Sequence, residues 1–145
     1  MLSIRTIQAI DIIPVIALAF ETLPERYNPV IFNQFYESFP EGFLVAYDHH
    51  TLIGFLIGIK TTPNSARILM LSIQEKNQRK GIGTALLDQF LREMKNLNVT
   101  SVELEVRTTN QGAFAFYKKH GFIQQEILTK FYQNGQDAYR MTRRL

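Results

Sequence analysis

The sequence predicts a mixed α/β domain, and three observations predict it. Short apolar or alternating runs bounded by turn residues, such as Gly42–Tyr47, Leu52–Lys60 and Ser101–Arg107, carry the period of strands. Among them lies one strongly amphipathic stretch, Gly81–Asn96, whose apolar residues recur at helical spacing. That stretch opens on Gln78-Arg79-Lys80-Gly81-Ile82-Gly83-Thr84, a glycine-bearing corner between a strand and a helix.

Taken in order, Leu2–Gln8 alternates and predicts a first strand. Ala9–Thr22 predicts a helix with Pro14 confined to its first turn, because a deeper proline removes a hydrogen bond and clashes with the preceding turn. Leu23-Pro24-Glu25-Arg26-Tyr27-Asn28-Pro29 is rich in breakers and predicts a loop, and Val30–Ser38 a second short helix. Gly42–Tyr47 and Leu52–Lys60 predict strands joined by a hairpin turn at Asp48-His49-His50-Thr51. Pro63-Asn64-Ser65 marks the next turn and Arg67–Ile73 a fourth strand. In Gly81–Asn96 the stripe Ile82, Leu86, Phe90, Met94 and Leu97 is the buried face, with Asp88, Arg92 and Lys95 off it. Ser101–Arg107 predicts a fifth strand, with Val102, Leu104 and Val106 on one face and Glu103, Glu105 and Arg107 on the other. Asn110 suits the N-cap of a helix Gln111–Lys119, and Gly121 stands where a C-cap glycine belongs. Phe122–Tyr132 and Gln136–Met141 predict a closing hairpin about Asn134-Gly135. The expected order is β-α-α-β-β-β-α-β-α-β-β in a single domain over residues 1–145, with no repeat, linker or low-complexity segment.

Composition narrows the chemistry. The chain has 145 residues, 46% of them hydrophobic, and no cysteine, which excludes disulfides, thiolate metal sites and a cysteine acyl-enzyme. The longest apolar run, Ile12–Phe20, contains Pro14 and is too short to span a bilayer. Met1-Leu2-Ser3-Ile4-Arg5 lacks the layout of a signal peptide, so a cytoplasmic location is expected. A net charge of +3 is too mild to argue for nucleic acid, and Arg140, Arg143 and Arg144 read as a solvated strand edge. His49, His50 and His120 lie apart without a carboxylate cluster, so no metal is expected.

Three features can carry chemistry. The glycine corner builds an anion site from backbone: glycine permits the tight turn, and the first helical turn offers unpaired N–H groups at the positive end of its dipole. A diphosphate is the natural guest. The run lacks the Gly-Lys-Ser/Thr of a Walker loop and the three glycines of a Rossmann fingerprint, and an ordinary strand–turn–helix corner remains the plain alternative. Glu105 lies on a strand expected to be central, where a carboxylate costs energy unless it serves or is paired. The plain alternative is pairing with Arg107 or a solvated face. Tyr117 sits on an apolar helix, where packing with a surface hydroxyl is the plain alternative.

These segments resemble a known family. The run Gln78–Gly83 resembles the acyl-CoA pyrophosphate loop of the GNAT N-acetyltransferases, Gln/Arg-x-x-Gly-x-Gly/Ala. Leu104-Glu105-Val106-Arg107-Thr108-Thr109-Asn110, followed by Ala113, Phe116-Tyr117 and Gly121-Phe122, is similar to the Leu-Glu-Val-Arg-x-Ser-Asn…Ala…x-Tyr…x-Phe block of the protein Nα-acetyltransferases. Leu23-Pro24-Glu25-Arg26-Tyr27 looks like their Leu-Pro-Glu-x-Tyr loop, and Phe131–Ala138 like their Tyr-Tyr-x-x-Gly-Glu-Asp-Ala hairpin. The resemblance runs from about Leu23 to Leu145.

It implies the GNAT fold, a mixed, mostly antiparallel seven-stranded sheet flanked by about four helices, with acetyl-CoA as co-substrate and no metal. It places Leu71, Ser72 and Ile73 on a splayed strand end beside the pantetheine arm, the Ile73 amide serving as oxyanion donor. Arg79, Lys80, Gly81, Ile82, Gly83 and Thr84 would hold the pyrophosphate, and Asn110 and Tyr117 would contact the cofactor. Glu105 is implied as general base, sometimes through water, and Tyr117 as the acid that protonates the departing thiolate. Tyr27 and Tyr132 would bond the peptide backbone, with Glu25 near the first substrate residue. The implied partner is a protein or peptide N-terminus, with neither nucleic acid nor membrane, and an auxiliary subunit or ribosome association is compatible with it. A lysine or small-molecule amine as acceptor would need different acceptor walls, and a non-catalytic acyl-CoA sensor would have no use for Glu105 and Tyr117. The chain departs from the pattern at Phe131, Gln136 and Thr109. Arg67 stands where one subfamily has a catalytic Tyr. That subfamily also has His in place of Glu105, so Glu105 favours the bacterial and archaeal style of base.

Overall fold

A computed structural model describes all of residues 1–145. Strand β1 (Leu2–Thr6) leads through a short 3-10 turn (Ala9–Asp11) into helix α1 (Ile12–Thr22), and α2 (Val30–Ser38) follows a loop. Strands β2 (Phe43–Asp48), β3 (Thr51–Thr62) and β4 (Ser65–Ile73) form a meander. Then come α3 (Ile82–Asn96), β5 (Ser101–Arg107), α4 (Gln111–Lys119), β6 (Ile123–Leu128) and β7 (Ala138–Arg144). The element order is the expected one. The bounds of α2, β5 and α4 agree with the sequence reading, and Asn110 caps α4 through a bond from the Ala113 amide at 3.0 Å.

The seven strands form one sheet in the order β1-β2-β3-β4-β5-β7-β6, antiparallel except for the parallel pair β4–β5. A parallel pair needs a crossover, and α3 supplies it. Each face of the sheet buries its own apolar cluster. On one face Leu86, Phe90 and Met94 of α3 pack on Leu56, Val102 and Leu104, joined by Tyr117 and Phe122. On the other, Val15 and Leu18 of α1 and Phe32 of α2 pack on Phe43, Phe55 and Ile57. A Cβ at Gly58 would overlap the Phe90 ring, so the bare backbone there lets α3 lie close to the sheet. Leu87 and Leu91 join the buried face of α3, whereas Leu97 at its end is only half buried. No helix is long and apolar enough to cross a membrane.

Pro14 falls in the first turn of α1, where its missing N–H has no intrahelical partner to lose. The entry to this helix is pinned by Asp11, which is fully buried. Its carboxylate accepts two bonds from Arg5 at 2.6 and 2.9 Å, one from the Tyr47 hydroxyl at 2.6 Å and one from the Gln8 amide at 2.8 Å.

Two expectations are corrected. Strand β7 lies between β5 and β6, so Arg140, Arg143 and Arg144 are on an interior strand rather than at a solvated edge. Arg140 bonds Glu105 and Glu126, and Arg143 bonds the His120 carbonyl at 2.7 Å. The closing hairpin is also wider than the Asn134-Gly135 signal implies. Strand β6 stops at Leu128 and β7 begins at Ala138, because the Asp137 carboxylate takes the Lys130 amide at 2.8 Å and closes a loop below the strands. The Asn134-Gly135 turn forms inside that loop, with the Gly135 amide bonded to the Tyr132 carbonyl at 2.9 Å.

Candidate active site

The site begins as a gap in the sheet. Strands β4 and β5 pair only at Ser65↔Ser101, Ala66↔Val102 and Arg67↔Glu103, and beyond these rungs they part. The freed edge of β4 has a definite polarity. The Gln74 amide bonds the Ile53 carbonyl at 2.7 Å, making Ile53 and Gln74 a hydrogen-bonded pair of the antiparallel β3–β4 ladder. By alternation the neighbouring pair, Gly54 and Ile73, is not bonded, so the Ile73 amide turns away from β3 and into the gap. Its carbonyl, facing the same way, accepts a bond from the Gln78 side chain at 3.2 Å. Leu71, two residues back, has the same orientation. Ser72 is buried and its hydroxyl accepts from Thr22 at 3.0 Å, tying β4 to α1.

The glycine corner lies at one mouth of the gap. Gly81 is the N-cap of α3 with φ +81°, and a Cβ there would meet nothing, so it is the left-handed backbone that calls for glycine. Arg79 shares this conformation with φ +63°. The first intrahelical bond runs from the Ala85 amide to the Gly81 carbonyl at 3.0 Å. The amides of Ile82, Gly83 and Thr84 precede it and have no partner in the chain, which is the donor set an anion needs. Lys80 reaches Asn77 at 3.3 Å. The Thr84 hydroxyl meets His120 Nε2 at 3.1 Å, and His120 Nδ1 lies 2.8 Å from the Phe116 carbonyl. A carbonyl only accepts, so Nδ1 carries the proton and, in the neutral ring, Nε2 accepts from Thr84.

Between the parted strands is a cavity of about 190 Å³. Leu71 lines it from β4, Glu105 from β5, and Asn110 and Tyr117 from the α4 side. Glu25 and Tyr27 line it from the α1–α2 loop and Tyr132 from the β6–β7 loop. The fold thus gathers seven of the predicted site residues, drawn from positions as far apart as Glu25 and Tyr132, around one space. Ser72, Ile73 and the glycine corner lie outside it.

The charged groups pair in a way the sequence reading missed. The Glu105 side chain is only 6% exposed, and its partners are Arg67 and Arg140 rather than Arg107. Arg67 Nε and Nη2 donate to Glu105 Oε1 at 2.9 and 2.5 Å, and Arg140 Nε donates to Oε2 at 3.2 Å. Arg107 instead joins the two loops. It forms an ion pair with Glu25, without an aligned hydrogen bond to the buried Glu25 oxygen, and donates to Gln136 at 2.5 Å and Asn134 at 3.3 Å. Its guanidinium also lies over the Tyr132 ring, 3.8 Å from the centroid.

Three hydroxyls are left to face a ligand. Those of Tyr27, Tyr117 and Tyr132 make no hydrogen bond within the chain, although each residue lines the cavity. Tyr117 is wedged between Phe116 and Phe122, with centroids 5.1 and 5.5 Å away. Burial pushes its phenol well above the ordinary range, so it stays protonated and able to donate. Burial raises Tyr27 as well; in Tyr132 the same effect outweighs the opposing Arg107 charge.

Free amides at a helix start, beside a gap between two parallel strands, suit a long phosphorylated ligand lying along β4. Comparison with known proteins identifies the fold's family: the model of the acetyltransferase (GNAT) family matches residues 12–122. This chain belongs to the GNAT family. The GNAT chain is similar to the N-alpha-acetyltransferase of Saccharolobus solfataricus, 32% identical over 155 residues that cover 99% of this chain and 93% of that one. It is also similar to N-alpha-acetyltransferase 30 of Schizosaccharomyces pombe, 33% identical over 122 residues and 81% of each chain. The solved structure of Ard1 from Thermoplasma volcanium superimposes with a TM-score of 0.95, at 36% identity over 99% of this chain and 97% of that one. The mostly antiparallel seven-stranded sheet with four helices is the fold the sequence resemblance implied.

Proposed function

We propose that this GNAT chain transfers the acetyl group of acetyl-CoA to the free α-amine of a protein or peptide N-terminus, residues 1–145 acting as one catalytic domain. The observation that carries this reading is the cavity between β4 and β5. It is walled by Glu25 and Tyr27 on one loop and Tyr132 on another, and holds Glu105 and Tyr117 beside the gap where the Ile73 amide emerges. The similarity to N-alpha-acetyltransferases supports it.

The co-substrate supplies an activated thioester. The amides of Ile82, Gly83 and Thr84 would hold its pyrophosphate, with Arg79 and Lys80 adding charge and Asn110 and Leu71 bordering the acyl end. Lacking cysteine, the chain offers no thiol for an acyl-enzyme, and both substrates meet in a ternary complex. Glu105 takes the proton of the attacking amine, directly or through one water. The Ile73 amide donates to the thioester oxygen as negative charge gathers there. Tyr117 gives its proton to the departing sulfur. Tyr27 and Tyr132 donate to the peptide backbone, with Glu25 close to its first residue. An α-amine with a pKa near 8 is partly neutral at pH 7, whereas a lysine near 10.4 costs about 3 kcal/mol more to deprotonate there, so one carboxylate suits the first task better. This chemistry fits a cytoplasmic enzyme working on free or ribosome-held N-termini, alone or with an auxiliary subunit.

The test is acetyl transfer from acetyl-CoA to short peptides that vary the first two residues, including peptides with a blocked α-amine and a free lysine. Transfer restricted to free α-amines is the expected result. Transfer to the blocked, lysine-bearing peptides would overturn the assignment of the acceptor.

A further inference from the structure

Arg67 occupies a particular place in the sheet. It is the last residue of β4 whose backbone pairs with β5, opposite Glu103. Immediately beyond it the ladder ends, and the first link across the opening gap is a side-chain fork, Arg67 Nε and Nη2 both donating to Glu105 Oε1 at 2.9 and 2.5 Å. A carboxylate oxygen has two lone pairs, so Oε1 is saturated. Oε2 receives one bond, from Arg140 at 3.2 Å, and keeps one lone pair open. The two arginines are not equivalent. Arg140 also donates to Glu126 at 2.9 Å and lies in the field of Glu103, whereas Arg67 bonds nothing but Glu105. Glu105 is 6% exposed, so bulk water has little room to replace the fork.

We infer that Arg67 is a positioning residue for the reaction: it locks Oε1 of Glu105 and so presents Oε2 as the oxygen that receives the proton of the acceptor amine. The inference rests on the reading of Glu105 as the base. A carboxylate held only by Arg140 could turn either oxygen toward the cavity over a range of angles, and catalysis is sensitive to such misplacement. If Arg67 were merely a strut between strands, its loss would change stability without acting through Glu105.

A double-mutant cycle separates these cases, with kcat, KM for acetyl-CoA, KM for an accepted peptide and Tm measured for R67K, R67M, E105Q and R67M/E105Q. R67K keeps the charge but loses the fork; it is expected to lower kcat about three- to tenfold with KM for acetyl-CoA within about twofold and Tm nearly unchanged. R67M should lose about 10- to 100-fold in kcat. The double variant should be no slower than E105Q, because Arg67 acts through Glu105. A further loss in the double variant overturns the inference, as does wild-type kcat in folded R67K and R67M while E105Q is crippled. Should R67M fail to fold, R67K and R67K/E105Q take its place in the cycle and decide by the same criteria. Wild-type kcat in E105Q would remove Glu105 from the role of base and Arg67 with it.

Discussion

Tyr117 is a buried side chain whose hydroxyl proton has no acceptor in the chain. Its ring is held between Phe116 and Phe122, burial keeps the phenol protonated, and its hydroxyl has no partner in the chain. Tyr117→Phe removes only that oxygen. The expected outcome is a loss of kcat of about 10²- to 10⁴-fold, the usual range for a general acid. Stability should hold or rise slightly, since no hydrogen bond is broken. Steady-state kinetics and a thermal melt check both, and a variant with full kcat would remove Tyr117 from the role of acid. The residue types at this site were legible in the sequence because Glu105 breaks the apolar pattern of its strand and Tyr117 lies in a family motif. Their partners were not. Strand alternation places Glu105 and Arg107 on one face, yet the register that sets Glu105 opposite Arg140 comes from β7, more than thirty residues away.

At the scale of elements, the start of α1 depends on a buried network. Burial alone would push the Asp11 carboxyl up. The Arg5 guanidinium, the Tyr47 hydroxyl and the Gln8 amide outweigh it and hold the carboxyl below its ordinary range. Burial and the Asp11 charge push the Tyr47 phenol up to about 12 in turn. A carboxyl depressed on folding contributes stability that is present above its unfolded pKa and lost as pH falls through the folded one. Asp11→Asn removes the charge from a buried pair and is expected to cost about 3 kcal/mol at neutral pH. Part of the wild-type loss of Tm in acid, below about pH 4, should be missing from the variant. Thermal melts at several pH values read both effects. An unchanged Tm at neutral pH would show that the network is dispensable. None of this network was visible beforehand. The helix itself was, because Pro14 and the apolar spacing are local signals.

For the molecule as a whole, the two loops that wall the cavity, α1–α2 and β6–β7, come from distant parts of the chain and meet on Arg107. This residue contacts Glu25 on one side and Tyr132, Asn134 and Gln136 on the other. Arg107→Met should therefore loosen both loops while leaving the glycine corner intact. The expected result is a rise of about tenfold or more in KM for the peptide, with KM for acetyl-CoA changed less than about threefold. Equal rises in both constants would mean that Arg107 supports the fold generally rather than the acceptor walls.

The sequence by itself determined the order and kind of the elements, the glycine corner at the start of α3 and the identities of the candidate residues. Helical and strand periods, caps and glycine conformation act over a few residues and leave their mark locally. Tertiary structure alone decided that β7 inserts between β5 and β6, that β4 and β5 part after Arg67, and that Glu105 is held by Arg67 and Arg140. These are matters of pairing between segments far apart in the chain. Register there follows from which faces can be buried together, and no short stretch of sequence carries that information.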